Sequence, residues 1–133
     1  MKAVHTSPIQ VLLVSPNPED RYLLGEILSH PEYSVRYARS AGEARRMLAS
    51  TEISVVLSEA GEPDGWAALL DFIRELPRPP RLIVTARHAG DRLWGEVLNL
   101  GGFDVLAKPW AKREVTHSVR GAHENWRGEA VAA

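Results

Sequence analysis

The sequence lacks cysteine, any large net charge and any long apolar run. Without cysteine, the chain can form neither a disulfide framework nor a thiolate metal site. Its net charge of −1 excludes an overall positive field of the kind that attracts nucleic acid. No apolar segment approaches membrane-spanning length, and the N-terminus lacks the apolar segment of a signal peptide. We therefore expect a cytoplasmic protein with neither a nucleic-acid partner nor a membrane partner.

Two local signals for ligand sites are also missing. No glycine-rich turn follows the first predicted strand, which argues against a nucleotide or flavin site. The histidines do not have the spacing of metal ligands, and we expect them to be solvated. They are His5, His30, His88, His117 and His123. These residues therefore predict no cofactor.

What the chain does have is the composition of a globular domain. It has 133 residues, of which 44% are hydrophobic and 25% are charged. A domain of this size buries roughly two thirds of its unfolded surface, which is enough for a core without metal or crosslinks. We predict one domain at residues 9–126, with loose tails at residues 1–8 and 127–133.

Short apolar runs alternate with helical patterns along this domain. The first run is nearly continuous, as in a central parallel strand that is covered on both faces. Asn17 is suited to cap the helix that follows, and Glu19 and Asp20 complement the dipole of that helix. The predicted strands are Ile9–Val14, Ser34–Arg39, Ile53–Leu57, Arg81–Ala86 and Phe103–Ala107. The predicted helices begin at Pro18 and after Ser40, and then span Trp66–Leu76, Asp91–Leu100 and Lys112 to about Trp126.

Five strands that alternate with five helices predict an α/β fold, a flavodoxin-like (βα)5 three-layer sandwich. Right-handed crossovers and one chain reversal give a parallel five-stranded sheet of order 2-1-3-4-5. The site of such a sheet lies outside the carboxyl ends of its strands, at the switch point between the first and third. The polar residues on that edge are Ser15, Ser58, Glu59, Thr85 and Lys108.

Three short motifs lie at the ends of these predicted strands and helices. Thr85-Ala86 ends the fourth strand, Lys108-Pro109-Trp110 follows the fifth, and Asp64-Gly65 precedes the third helix. Together they resemble the receiver domain of two-component response regulators, the chemotaxis-receiver fold. The resemblance covers Gln10 to Trp126, and it implies a cis peptide bond before Pro109.

A working receiver, as this resemblance implies, holds Mg²⁺ with two acidic residues after its first strand. An aspartate that ends the third strand accepts the phosphoryl group, and a hydroxyl and a lysine bind the phosphoryl oxygens. An aromatic residue on the fifth strand responds to phosphorylation. In this sequence the acidic pair maps to Ser15-Pro16, and the aromatic switch position maps to Val105.

The acceptor position maps to Glu59, or to Leu57 if no gap is allowed before Asp64-Gly65. We favour Glu59, because the apolar run ends at Leu57 and a polar carboxyl suits the end of a strand. In neither alignment does an aspartate occupy the acceptor position. The aspartates Asp20, Asp64, Asp71, Asp91 and Asp104 all fall elsewhere.

The resemblance therefore implies a degenerate phosphorylation pocket that has lost its metal ligands and its acceptor. Its residues are Ser15, Pro16, Glu59, Thr85 and Lys108. Mg²⁺ binding is expected to be lost, and with it the main electrostatic stabilisation of phosphoryl transfer. We expect Glu59 to contact Lys108 permanently, as a weak and fixed imitation of the modified state.

The predicted function is that of a stand-alone atypical receiver, not an enzyme, which acts through protein–protein interaction in two-component signalling. The alternatives are a receiver that is still phosphorylated at Glu59 or Ser58, and a flavodoxin-like small-molecule binding domain. The resemblance implies a sensor histidine kinase or another signalling protein as partner, and a homodimer through the fourth helix, fifth strand and fifth helix. Trp94 and Trp110 are candidates for the partner face, since aromatic side chains carry binding energy. Trp94 also fits the edge of the core.

Overall fold

The structure, a computed structural model, describes residues 7–61 and 65–132. Within these residues, five β-strands alternate with five α-helices, as the sequence predicts. The strands are β1 Ile9–Val14, β2 Tyr33–Ala38, β3 Val55–Glu59, β4 Arg81–Ala86 and β5 Asp104–Ala107. The helices are α1 Pro18–Ile27, α2 Ala41–Ser50, α3 Gly65–Arg74, α4 Asp91–Leu100 and α5 Lys112–Ala132. No helix in this part of the chain is both long enough and apolar enough to cross a membrane.

The strands form one parallel sheet in the order β2-β1-β3-β4-β5, which confirms the predicted topology. In the register of this sheet, Val14 at the end of β1 pairs with Ser58, and Glu59 at the end of β3 pairs with Thr85. The carboxyl ends of β1, β3 and β4 therefore meet at one edge of the sheet. The switch point between β1 and β3 lies on that edge, where sites form in folds of this kind.

Apolar side chains pack on both faces of the sheet, which explains why its central strands are continuous apolar runs. Along β1, Leu12 and Val14 face the layer that contains α2 and α3, whereas Val11 and Leu13 face the layer that contains α1 and α5. Burial of each such side chain contributes about 1.5–3 kcal/mol to folding. The two cores hold the sheet rigid and fix the positions of the polar residues at its edge.

Five elements differ from their predicted bounds. The ends of β2, α3 and β5 shift by one or two residues, β3 is displaced by two residues at both ends, and α5 is longer. β3 ends at Glu59, two residues later than predicted, because the backbones of Ser58 and Glu59 pair with the neighbouring strands although their side chains are polar. α5 continues to Ala132 instead of ending near Trp126, so the predicted loose tail is helical through residue 132. Residues 1–6 of the other predicted tail lie outside the described residues.

Candidate functional site

The carboxyl edge of the sheet brings together the side chains that the sequence assigns to the site. Ser15 directly follows β1, and Lys108 directly follows β5. Glu59 ends β3 and pairs with Thr85, the residue before the last of β4. Backbone hydrogen bonds extend the ladder past the strand ends, from Ala60 N to Thr85 O at 2.8 Å and from Lys108 N to Ala86 O at 3.0 Å. The loops that carry the site residues are thus anchored where they leave the sheet.

Lys108 reaches inward from this edge and pairs with Glu59. Its Nζ lies 3.1 Å from Glu59 Oε1, so the predicted contact between these two side chains is confirmed. The peptide bond between Lys108 and Pro109 is cis, as the resemblance implies. Glu59 is thereby placed at the end of β3, facing the lysine, as the alignment that we favoured requires.

A second carboxylate, which sequence reasoning missed, lies closer to the ammonium. Asp20 Oδ2 is 2.7 Å from Lys108 Nζ, and the side chain of Asp20 is only 6% exposed. The sequence predicts Asp20 only as an acidic residue in the first turn of α1, where it does lie, and does not include it among the site residues. Its side chain nevertheless reaches Lys108, whereas Glu19 is exposed.

Ser15 joins the two carboxylates into a closed arrangement. Its Oγ donates to Asp20 Oδ2 at 2.8 Å, lies 3.4 Å from Glu59 Oε1 and accepts a hydrogen bond from Asn17 N at 3.1 Å. Because Lys108 contacts the same two oxygen atoms, four polar atoms form a ring of contacts. We call this set of side chains the Lys108 ring; it consists of Ser15, Asp20, Glu59 and Lys108.

The geometry of α1 explains why Asp20 faces inward. Asn17 caps the helix by accepting from Glu19 N at 2.9 Å, and Pro18 occupies the first turn. Side chains four residues apart share one face of a helix, and Leu24 and Leu28, four and eight residues after Asp20, are both buried. This spacing is the sequence signal that could have found Asp20, since it places a carboxylate on the apolar face of the helix.

Electrostatics keep Asp20 ionised despite its position. Burial alone would raise the pKa of Asp20, but hydrogen bonds from Lys108 and Ser15, together with the charge of Lys108, hold its pKa below the ordinary value. Asp20 and Glu59 thus place two carboxyl groups against one ammonium in the Lys108 ring.

The remaining predicted site residues take different positions. Thr85 is buried beside Glu59, and Val105 is buried within the core on β5. Pro16 is exposed and lines a cavity of about 620 Å³ that also touches Ser58 and Glu59. Asp64 lies outside the described residues, so the motif that it shares with Gly65 has no structural description.

Trp94 and Trp110, which the sequence suggested as a partner face, pack in different surroundings. Trp110 is half-buried against the core layer of α1 and α5, with Lys108 Nζ 5.5 Å from the centre of its ring. Trp94 lies on α4 and is 39% exposed, beside the exposed apolar side chains of Leu98 and Leu100. Trp94 therefore belongs to an exposed apolar surface on α4, whereas Trp110 borders the Lys108 ring.

A second cavity opens beside Lys108. It measures about 530 Å³ and is lined by side chains from α1, from the loop after β4 and from the loop after β5. Asp20, Leu23, Lys108 and Trp110 are among its lining residues. Solvent can therefore approach the Lys108 ring from the side of α1 as well as from the side of Glu59.

Comparison with known proteins agrees with this fold. A family model described as "Response regulator receiver domain" matches residues 11–120. The "Transcriptional regulatory protein PmrA" of Pectobacterium parmentieri is 38% identical over 109 residues, which cover 77% of this chain and 48% of that protein. The chain thus spans about half the length of this relative.

Solved structures of receiver domains also share the fold of this chain. The signal receiver domain of an HD domain-containing protein from Pseudomonas fluorescens Pf-5 superposes with a TM-score of 0.86 at 28% identity, over 99% of this chain and 98% of that one. The beryllofluoride-activated dimer of the NtrC4 receiver domain superposes with a TM-score of 0.79 at 21% identity, over 88% and 98% of the two chains. At that lower identity the likeness to NtrC4 shows the fold alone.

Proposed function

This chain belongs to the response regulator receiver domain family, and on that premise we propose that it is an atypical receiver that works without phosphorylation. It acts in the cytoplasm as a protein–protein interaction module of two-component signalling, and it catalyses no reaction of its own. The observation that carries this proposal is the pairing of Lys108 with two carboxylates of its own chain, at 2.7 and 3.1 Å.

The charge around Lys108 supports the loss of phosphoryl chemistry. A phosphoryl group adds about −1.5 to −2 charges, which cations at the site have to balance. Here Asp20 and Glu59 already place two carboxylates against the one ammonium. A phosphoryl group on Glu59 would have to compete with Asp20 for Lys108 in a site that has no other described cation in contact with these carboxylates.

The residues present do not fit the Mg²⁺ of the family. Mg²⁺ requires near-octahedral oxygen ligands, and in proteins these are carboxylates and waters. Ser15 and Pro16 stand where the resemblance expects acidic residues, and the Ser15 hydroxyl donates its proton to Asp20. The two carboxylates nearby both face the Lys108 ammonium, which would repel a second cation.

A direct test uses acetyl phosphate with Mg²⁺ and intact-mass measurement at neutral pH. We expect the wild-type chain to gain no phosphoryl group. The matched control is the triple variant Ser15→Asp, Pro16→Asp, Glu59→Asp, which restores the acidic pair and the acceptor and should gain one phosphoryl group. A phosphoryl group on Glu59 or Ser58 of the wild-type chain would overturn the proposal in favour of an unusual acceptor.

We further propose that α4 carries the partner face. Its exposed apolar side chains, Trp94, Leu98 and Leu100, supply the kind of surface on which proteins associate. The NtrC4 receiver domain is a dimer in its beryllofluoride-activated form. By analogy, the partner of this surface is a second copy of this chain or another signalling protein.

A further inference from the structure

The two carboxylate partners of Lys108 are not equivalent. Asp20 lies 2.7 Å from Nζ and its side chain is 6% exposed, whereas Glu59 lies 3.1 Å away and its side chain is 29% exposed. A charge pair weakens where water can reach it, because solvent screens the interaction. Distance and burial therefore both rank Asp20 above Glu59 as the partner of the ammonium.

Asp20 is also the better anchored of the two. Its Oδ2 accepts from the Ser15 hydroxyl at 2.8 Å, and that hydroxyl is itself held by Asn17 N at 3.1 Å. The contact of Glu59 with Ser15 is longer, at 3.4 Å, and the side chain of Glu59 has one more rotatable bond. A short chain of hydrogen bonds from the backbone thus holds the Asp20 carboxylate independently of its contact with Lys108.

The first turn of α1 explains how Asp20 is free for this role. An acidic residue three positions after an N-cap commonly bonds back to the N-cap amide. Here the Asn17 amide donates to Ser15 instead, so Asp20 is released from capping and turns towards Lys108. The same serine that replaces an acidic residue therefore also positions a different carboxylate.

We propose that Asp20, oriented by Ser15, is the positioning residue that fixes the Lys108 ammonium, and that Glu59 is the secondary partner. Asp20 holds the ammonium on the α1 side of the site, independently of what stands at the end of β3. This inference deepens the proposed function, because a lysine that is held by Asp20 stays paired even when Glu59 is changed. Asp20 is not one of the positions that the resemblance assigns to the site.

The reactivity of the Lys108 amine can be measured separately, because the chain contains only three lysines, Lys2, Lys108 and Lys112. Brief acylation of the folded protein with acetic anhydride, followed by peptide mass spectrometry, reports the reactivity of each amine. Lys112 is exposed at the start of α5 and serves as the internal reference. Each variant is first shown by circular dichroism to retain the fold, so that a general loosening is not mistaken for release of Lys108.

We expect Asp20→Asn to raise the reactivity of Lys108 relative to Lys112 by about tenfold or more, as for the loss of a strong charge-assisted hydrogen bond. Glu59→Gln should raise the same ratio less than about threefold. Ser15→Ala should give an intermediate increase, because the carboxylate remains but loses its orientation. The conservative Asp20→Glu should restore part of the protection, which a purely structural role of the position would not predict.

The opposite ranking would overturn the inference. If Glu59→Gln released Lys108 as much as Asp20→Asn, Glu59 would be the main partner. If Asp20→Asn failed to fold, Ser15→Ala and the wild-type ratio would decide, since equal reactivity of Lys108 and Lys112 in the wild type contradicts the proposal. The lysine readout involves no phosphoryl donor, so its failure is distinguishable from failure of the acetyl phosphate test.

Discussion

Single residues determine the charge of this site, and Lys108 has two partners of unequal burial. A buried ion pair is costly to break, because removal of one partner leaves the other charge in a medium of low dielectric constant. Asp20 and Lys108 are almost fully buried, whereas Glu59 is partly solvated. The two carboxylates should therefore differ in their contribution to the free energy of unfolding.

We expect Asp20→Asn to lower the free energy of unfolding by about 3 kcal/mol, as for one partner of a buried pair. Glu59→Gln should cost about 1 kcal/mol or less, because water screens its interaction with Lys108. Urea denaturation of both variants measures these values. Asp91→Asn, at an exposed position of α4, is the matched control and should stay within about 0.5 kcal/mol. A loss in Asp20→Asn no larger than in this control would contradict the ranking.

Asp20 also predicts a pH dependence of stability. Its pKa is lowered in the folded state, so it contributes stability that is fully present above the unfolded-state pKa of about 3.9 and is lost as pH falls towards the lower folded pKa. The stability difference between the wild type and Asp20→Asn should thus be constant from neutral pH down to about pH 5 and shrink below about pH 4. Urea denaturation at a series of pH values tests this. A difference that is unchanged at the lowest pH would show that Asp20 is not the titrating group.

Sequence reasoning identified Lys108, Glu59 and Thr85 because strand ends of a parallel sheet meet at a known edge. It missed Asp20 because that residue is on a helix, where its position was attributed to the helix dipole. The spacing of Asp20 from Leu24 and Leu28 indicates that its side chain faces inward. Its role in the site follows only when the cation with which it pairs is known. Lys108, 88 positions away, supplies that cation only once the chain is folded.

At the scale of elements, the sequence predicted the strands and helices more securely than their ends. Apolar periodicity determines which segment is buried, but backbone pairing also extends through polar residues, as Ser58 and Glu59 show in β3. Side-chain contacts anchor the predicted part of α5: His123 bonds to Ser54 at 2.9 Å, and Trp126 stacks under the Arg78 guanidinium at 3.8 Å. The helix continues beyond these contacts to Ala132.

The exposed surface of α4 gives a prediction at this scale. If a second copy binds there, sedimentation velocity should show a dimer that becomes more populated with concentration. The double variant Trp94→Ala, Leu98→Ala should reduce the dimer fraction, because it removes exposed apolar side chains from α4. Tyr22→Ala, which removes an exposed aromatic side chain from α1 instead, is the control and should leave the dimer intact. A wild-type chain that stays monomeric at all concentrations would contradict self-association and leave a different protein as the partner.

At the scale of the whole molecule, the strand order and the chemistry of the site depend on different residues. The order of the five strands brings Lys108, Thr85 and Glu59 to one edge of the sheet. The chemistry at that edge depends on a few side chains, namely Ser15 and Pro16 after β1 and Glu59 at the end of β3. The core of this receiver fold therefore packs independently of the side chains at the carboxyl edge of its sheet.

The central claim is that Lys108 is occupied by carboxylates of its own chain and does not respond to a phosphoryl group. The most direct measurement is a titration of the isotope-labelled protein with beryllofluoride and Mg²⁺, followed by the NMR signals of Thr85 and Lys108. We expect no shift of these signals in the wild type, and a saturable shift in the triple variant Ser15→Asp, Pro16→Asp, Glu59→Asp. A saturable, Mg²⁺-dependent shift at Thr85 and Lys108 of the wild type would contradict the account.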